Sequence, residues 1–267
     1  MKKQLLLTAV SAAIALTSPM TMAADDELNF DAYREMLADG NPAELYEMEG
    51  EELWRTARGP KNATLEQCDL GLGAGVVEGA AAQLPRYFAD TGKVQDLESR
   101  LMHCMEAQQG IPSAEIINGQ FLKGERGKLA ALVAYVVTHS KGKPIAVDLS
   151  HPKVKEMYDM GERAFHYRTG AMDFACSSCH SQDGKRIRAT QLPNITKPEG
   201  AAEGWSSWPA YRVSNSQFWT MQHRLWDCFR QQRTAEPVFA SDVTIALSVF
   251  MAGKGNGAEA RWPGVKR

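Results

Sequence analysis

The amino-acid sequence has almost no net charge. Its 267 residues include 30 lysines and arginines and 32 aspartates and glutamates, which gives a formal net charge of −2. A chain with this balance has no overall field that would gather nucleic acid or anionic lipid. Nucleic acid is therefore not a predicted partner, and any anionic ligand must be bound by a few local groups.

Long hydrophobic runs are also missing. The apolar stretch from Leu5 to Leu16 is too short to span a bilayer, and no later run is long and uncharged enough. We therefore expect no membrane span. The basic start at Lys2 and Lys3 and the small residues before Ala23 are typical of a secretory signal. They predict a signal peptide over residues 1–23, removed on export to the periplasm.

Strand patterns and cysteines are scarce. Few alternating β-branched runs occur, and stretches such as residues 196–216 have the composition of loops, so the predicted fold class is all-α. The five cysteines are an odd number. In an oxidising compartment, at least one of them must serve something other than an internal disulfide.

What the sequence does contain is an internal repeat. Residues 51–71 resemble residues 161–184, and residues 100–109 resemble residues 224–233; each half then continues into an apolar helical stretch. Chance similarity between short helices is disfavoured because four features recur in the same order. The repeat predicts two cytochrome-c-like helical domains related by internal duplication, over residues 24–145 and 146–267.

The most specific motif is CSSCH, residues 176–180. Cys176 and Cys179 are spaced to form thioethers with both vinyl groups of a haem, and His180 follows as an iron ligand. A structural or redox Cys-x-x-C is the alternative. The adjoining histidine, the exported context and the preceding helix all favour one covalently bound haem c in the second domain.

The repeat assigns a different role to the first domain. Leu65 and Asp69 stand where the second half has its first cysteine and its histidine, so this domain is predicted to carry no haem. Cys68 and Cys104 correspond to Cys179 and Cys228. We expect a disulfide between Cys68 and Cys104; a bond from Cys228 to one of them would have to cross domains.

The second axial ligand of the haem has four candidates in the residues alone, Met221, His223, Cys228 and Met251. A free thiol at Cys228 is unusual in a periplasm unless it is coordinated or reactive. Arg224 precedes Cys228 by four residues, so the two share a helix face. The cation beside the sulfur is expected to favour the thiolate and to offer an anion-binding group, although a solvated surface arginine fits the spacing equally well.

Taken together, CSSCH and the Arg-x-x-x-Cys helix in RLWDC resemble the SoxA family, the larger subunits of the SoxAX cytochromes of bacterial sulfur oxidation. The resemblance implies that His180 and Cys228 are the axial haem ligands. It also implies that Cys228, found in the family as a persulfide, is the catalytic centre, and that Arg224 holds the anionic substrate. Leu65 and Asp69 depart from the members with two haems, which indicates the single-haem type.

The activity implied by this resemblance is that of an L-cysteine S-thiosulfotransferase. Thiosulfate would be coupled oxidatively to the cysteine of the SoxYZ carrier protein, with two electrons leaving through the haem to a SoxX cytochrome in a heterodimer. The main alternative is an electron-transfer cytochrome with Met221 or Met251 on iron and no substrate site. That alternative does not explain an unpaired Cys228. Thiosulfate dehydrogenases and haem peroxidases generally carry two haems, and a second CxxCH motif is absent here.

Overall fold

The computed structural model describes residues 40–187 and 190–266. The predicted signal peptide, residues 1–23, lies outside the described residues. Within them, no helix has both the length and the apolar character needed to cross a membrane.

The first half is built from four helices and one hairpin. It also contains two short helical segments, a 3₁₀ turn at Ala81–Gln83 and a π-helical turn at Met105–Gln109. The main elements, in chain order, are α1 (Ala43–Arg55), β1 (Arg86–Phe88), β2 (Lys93–Gln95), α2 (Leu97–Cys104), α3 (Ser113–Ile117) and α4 (Gly124–Thr138).

The second half repeats this order and adds to it. A single 3₁₀ turn, Val213–Asn215, joins β5 to β6. The elements are α5 (Pro152–His166), α6 (Cys176–His180), β3 (Arg186–Ile187), β4 (Thr190–Gln191), α7 (Pro198–Ser206), β5 (Ala210–Arg212), β6 (Gln217–Trp219), α8 (Met221–Gln231), α9 (Asp242–Lys254) and β7 (Gly264–Lys266).

The fold is mainly helical, but the all-α prediction is incomplete because short strands are present. The strands β1 and β2 form an antiparallel hairpin, β3 pairs with β4, and β5 lies between antiparallel β6 and parallel β7. Each strand has only two or three residues. Alternation over so few positions gives no detectable period, and for this reason the sequence pattern missed them.

A close helix pair forms the centre of each half. In the first, α1 packs on α4 with Gly50 directly against the backbone of Ala131; in the second, α5 packs on α9 with Gly161 against Ala246. The helices α4 and α9 are apolar around most of their circumference, as expected of central buried helices. Each glycine lets two backbones approach more closely than a side chain would permit.

The two halves also share smaller local features. The turns before Cys68 and Cys179 each contain a positive-φ glycine, Gly59 and Gly170. The helices α2 and α8, which contain Cys104 and Cys228, have similar N-terminal caps. The Asp96 side chain accepts a hydrogen bond from the Ser99 amide at the start of α2, and the Thr220 hydroxyl accepts one from the His223 amide at the start of α8. These turns and helix caps are therefore alike in the two halves.

The segment around the predicted domain boundary, between residues 145 and 146, is bound to both halves. The Ile145 amide donates to the Ala258 carbonyl at 2.9 Å, and the Ala146 amide donates to the Ala82 carbonyl at 2.8 Å. The Asn256 side chain bonds both the amide and the carbonyl of Val147. The halves therefore pack as one body and are not separated by a free linker.

A buried acidic pair crosses the contact between the halves. Glu98 and Asp96 are 4% and 2% exposed. The Gln222 backbone amide of α8 donates to Glu98 Oε1 at 3.0 Å, and the Gln222 side chain donates to Asp96 Oδ2 at 2.5 Å. Burial, reinforced by the neighbouring Asp96 charge, raises the pKa of Glu98 to about 8.

This pair predicts a stability that falls as pH rises. In the folded state the raised pKa of about 8 keeps Glu98 protonated at neutral pH. In the unfolded chain Glu98 loses its proton near its usual pKa of 4.5. The free energy of unfolding should therefore decline between about pH 5 and about pH 8. Glu98→Gln removes the Glu98 titration, keeps an oxygen for the Gln222 amide, and should reduce this slope in urea unfolding followed by near-ultraviolet circular dichroism, while Asp96, whose pKa burial also raises, keeps its own contribution.

The matched control for that prediction is Glu115→Gln, since Glu115 is an exposed carboxylate of the same half. It should leave the pH dependence unchanged. If Glu98→Gln had the slope of the unsubstituted protein, the buried carboxyl would not be protonated in the folded state and the interpretation would be wrong.

Candidate active site

The candidate haem-binding residues come together on α6 and α8. The helix α6 is the CSSCH motif itself, and Cys176, Cys179 and Cys228 are all free thiols and partly buried. Cys228 lies close enough to Cys176 and Cys179 for their charges to interact. The Gln232 amide, one turn beyond Cys228, lies 3.9 Å from Cys176 Sγ.

His180 is held in the form that binds a metal. Its Nδ1 lies 3.0 Å from the Pro193 carbonyl oxygen, which only accepts, so Nδ1 carries the proton and Nε2 keeps its lone pair. Burial lowers the pKa of His180, helped by the nearby Arg224 charge. A neutral, oriented imidazole is therefore ready to serve as an iron ligand.

The residues present fit a covalently bound haem in the second half and not in the first. Beside Cys176 lies a cavity of about 370 Å³, and α6 has no fully buried residue. In the first half, the corresponding Leu65 and Cys68 are 0% exposed in the core. Asp69, the counterpart of His180, accepts from the Gly71 and Gly73 amides and closes a turn. The cavity is lined by Met160, Arg163, Ala164, Tyr167, Thr169, Cys176, Phe229, Gln232 and Val243.

The expected disulfide is present. Cys68 and Cys104 are bonded, with their Cα atoms 5.5 Å apart. Cys228 remains free. The alternative of a bond from Cys228 to the first half is therefore not formed, and the thiol of α8 is left for another use.

The electrostatics of Cys228 correct one expectation. Burial raises the pKa of Cys228, while the Arg224 charge acts in the opposite direction without overcoming it. The arginine alone therefore does not make this sulfur a thiolate at neutral pH. Deprotonation requires a stronger positive centre, and coordination to a metal has that effect on a thiol. Burial likewise raises the pKa of Cys176 to about 12.

Arg224 is held in place by an aspartate that the sequence analysis did not single out. Its Nη1 lies 3.0 Å from Asp227 Oδ2, and its guanidinium lies 5.4 Å from the centre of the Trp208 ring. Burial opposes ionisation of Asp227, yet the hydrogen bond from Arg230 and the Arg224 charge hold its pKa below the usual range. The three-residue spacing of Arg224 and Asp227 on one helix was the available sequence signal.

Comparisons with known proteins identify the family. A family model described as SoxA/TsdA, cytochrome c domain, matches residues 49–145. The protein named L-cysteine S-thiosulfotransferase subunit SoxA from Hydrogenophilus thermoluteolus is 62% identical over 98% of both chains. The chain belongs to the SoxA family. A relative of the same name from Hydrogenobacter thermophilus is 34% identical over 85% of this chain and 82% of its own.

A solved structure supports the fold of this SoxA-family chain. The crystal structure of SoxXA from P. pantotrophus matches with a TM-score of 0.73 at 22% identity, covering 89% of this chain and 84% of the matched chain. The mainly helical fold of this chain therefore also occurs in a solved SoxXA structure. The family is one of cytochrome c domains, which implies haem c as the cofactor; the matched residues 49–145 are the half that lacks the CSSCH motif.

The other ligand candidates of the SoxA-family chain are used in packing. His223 is stacked between Phe121 and Trp219, with ring centres 3.9 and 4.0 Å away. Burial lowers the pKa of His223 to about 3. Met221 and Met251 are 4% and 6% exposed and belong to the hydrophobic core. These positions favour Cys228 over its three rivals.

Proposed function

We propose that this SoxA-family subunit couples thiosulfate oxidatively to the cysteine of a SoxYZ-type carrier protein. Its relatives are named L-cysteine S-thiosulfotransferase subunits, which supports this class of activity. The observation that carries the proposal is the free Cys228 thiol lying beside both Arg224 and the CSSCH helix. A plain electron carrier has no need of an arginine held next to an unpaired thiol.

The proposed roles follow from the side chains. Cys176 and Cys179 would attach one haem c, and His180 and Cys228 would bind its iron. When bound, the haem supplies a one-electron acceptor at this site. Arg224 pairs with the sulfonate end of thiosulfate, because a guanidinium binds a planar pair of anionic oxygens through two parallel hydrogen bonds.

The chemistry balances as an oxidative coupling. A new S–S bond forms between the outer sulfur of thiosulfate and the carrier cysteine, the thiol proton is released, and two electrons leave. The outer sulfur of thiosulfate, still bearing its sulfonate, bonds to the Cys228 sulfur as the two electrons leave. The carrier thiolate then attacks that outer sulfur and releases Cys228 as the leaving thiolate, as in thiol exchange. A haem held by these residues would supply the acceptor for the electrons, and the proposed partner that receives them is a SoxX cytochrome in a heterodimer, which is consistent with a related fold occurring in a SoxXA structure.

We also propose that the chain arose by duplication, with a haem-less domain over residues 24–145 and a haem domain over residues 146–267. The paired glycine contacts at Gly50 and Gly161, and the matching caps of α2 and α8, support this. A signal peptide over residues 1–23 would place the mature protein in the periplasm.

The test is a reconstituted assay. The haem-loaded subunit, its small cytochrome, the reduced carrier, thiosulfate and an oxidised cytochrome acceptor are combined, and intact mass spectrometry follows the carrier cysteine. Formation of the cysteine S-thiosulfonate together with acceptor reduction supports the proposal. Acceptor reduction by a chemical reductant with no change in carrier mass would leave the alternative, an electron-transfer cytochrome with a methionine on iron.

A further inference from the structure

We propose that Glu98, a residue of the first half, is a positioning residue for Cys228. By holding the amino-terminal end of α8, it sets where the Cys228 sulfur lies relative to a haem on the CSSCH helix. Glu98 belongs to neither of the motifs that indicate the haem site. The inference rests on the proposed function, because it takes Cys228 as an iron ligand and as the sulfur that takes part in transfer.

The amino-terminal ends of α2 and α8 cap each other across the contact between the halves. Each helix follows a capping side chain, Asp96 for α2 and Thr220 for α8. The second residue of each helix bonds to the other helix end. Glu98 Oε1 accepts from the Gln222 amide at 3.0 Å, and the Gln222 side chain donates to Asp96 Oδ2 at 2.5 Å. We call these four residues the reciprocal cap.

Glu98 completes the capping of α8. The first amides of a helix have no partner within the helix and must find one outside it. Thr220 Oγ1 accepts from the His223 amide at 3.3 Å, and Glu98 accepts from the Gln222 amide. The Thr220 side chain also hydrogen-bonds the Glu98 carboxyl. Two successive amides of α8 therefore depend on Glu98, one directly and the other through Thr220.

The Gln222 side chain joins the reciprocal cap to the loop before α9. Its carbonyl oxygen accepts from the Ala240 amide at 3.1 Å, while its amino group donates to Asp96. Asp96 in turn accepts from the amide and the hydroxyl of Ser99, at 2.9 and 2.6 Å. Only one orientation of the Gln222 amide satisfies both of its partners, so this side chain is fixed.

The reciprocal cap is shielded from water. All four of its residues are buried, and Gln222 is 1% exposed. A buried polar group that loses its partner is not compensated by solvent, so these bonds are costly to break. Apolar packing is not directional and would tolerate a helix that slides by a fraction of an ångström. The hydrogen bonds of the reciprocal cap instead fix the end of α8 along and around its axis.

Cys228 is close enough to this end to be placed by it. It lies less than two turns beyond Gln222 on the same helix, about 9 Å along the axis at about 1.5 Å per residue. A metal–ligand distance tolerates a change of only about 0.2 Å. A small displacement at the start of α8 is therefore enough to weaken the bond from the Cys228 sulfur to iron.

The test compares Glu98→Gln with Glu98→Ala in the oxidised, haem-loaded protein at one pH. Both variants remove the same carboxyl, but only glutamine keeps an oxygen for the Gln222 amide. A difference between them therefore reports the hydrogen bond and not the charge. In hydrogen–deuterium exchange followed by mass spectrometry, the start of α8 should exchange about tenfold faster in Glu98→Ala than in Glu98→Gln, while α1 is unaffected.

The same two variants should differ at the iron. A thiolate stabilises ferric iron, so a Cys228 sulfur that is held less closely should raise the reduction potential. We expect Glu98→Ala to shift the reduction equilibrium about tenfold toward ferrous iron relative to Glu98→Gln, which corresponds to about 59 mV for one electron. Its electron paramagnetic resonance spectrum should show a second low-spin species beside the thiolate-type signal.

The matched control is Gln109→Ala. Gln109 is also a buried polar residue of the first half, 0% exposed, but its side-chain amide donates to the Ala63 carbonyl of that same half, at 3.0 Å. This variant should lower the stability of the first half and leave both the exchange of α8 and the reduction potential unchanged. It separates the placing of α8 from a general loss of stability.

Equal exchange and equal potentials in Glu98→Ala and Glu98→Gln would overturn the inference, as would an equal shift in Gln109→Ala. If Glu98→Ala does not fold, Glu98→Asp decides, because it keeps the carboxyl but withdraws it by one methylene. We expect Glu98→Asp to shift the reduction equilibrium about threefold, and no shift would contradict the inference.

The outcomes also distinguish this inference from the proposed function. The expected shifts in a protein that transfers no sulfur would support the positioning role of Glu98 and refute the sulfur transfer alone. An unsubstituted protein without a thiolate-type signal would show that Cys228 is not on iron, and would overturn the inference together with the proposed ligation.

Discussion

Replacement of Cys228 by methionine is expected to abolish sulfur transfer, lowering kcat by about a thousandfold or more, because the proposed acceptor sulfur is lost. Methionine keeps a soft but neutral thioether at the same place on α8. The low-temperature electron paramagnetic resonance spectrum of the oxidised protein should therefore change from a thiolate-type low-spin signal to one typical of a histidine and a thioether. The resonance spectrum of this variant reports the iron ligand, and the mass-spectrometric assay reports its sulfur transfer.

The control for Cys228→Met is Met221→Leu. Met221 is the methionine candidate nearest to Cys228 in sequence and lies in the core, where leucine has a similar volume. We expect this variant to keep both the spectrum and the activity. A signal unaffected by Cys228→Met but lost in Met221→Leu would place the methionine on iron and remove the basis for sulfur transfer.

The largest expected effect on stability comes from Gly161→Ala. A Cβ atom at this position would collide with the Ala246 carbonyl of α9 and lie 2.8 Å from Phe250 Cβ. Backbone atoms have no rotamer through which to move away, so α5 and α9 would have to separate. We expect a loss of about 3 kcal/mol in the free energy of unfolding, at the upper end of overpacking effects, measured by urea unfolding of the haem-loaded protein.

Gly204→Ala distinguishes packing from helix propensity. Gly204 is also helical, in α7, but its nearest neighbour would be an ordinary 3.6 Å from the new Cβ. Because alanine favours helix over glycine, this variant should be more stable by about 0.5–1 kcal/mol. A gain of stability in Gly161→Ala as well would show that the two helices tolerate a wider spacing than the structure indicates.

The first half acts on the candidate site through contacts that reach α8. Glu98 accepts a hydrogen bond from the start of α8, and Phe121 stacks against His223 on the same helix. The helix that carries Arg224 and Cys228 is thus held from both halves. The first half, in which Leu65 fills the position corresponding to Cys176, therefore helps to position the candidate site on α8.

The sequence by itself determined the local chemistry. CSSCH places two thiols and an imidazole within one helical turn, and Arg224 and Cys228 share a helix face because their spacing is one turn. The odd number of cysteines required one to stay unpaired, and the residues of these two motifs pointed to the SoxA family, which the comparisons confirmed. Such features depend on neighbours along the chain and can be read without a fold.

Tertiary structure alone decided which distant groups meet. The packing of β5, α8 and the first half sets three such features. It places Arg212 at the end of β5 near Asp227, it brings three arginines to the Asp227 carboxylate, and it buries Cys228 so that ionisation of the thiol is opposed. The same packing placed His223 in an aromatic stack and so removed it from the ligand candidates. Side-chain stacking and burial depend on residues far apart in sequence, and no local spacing encodes them.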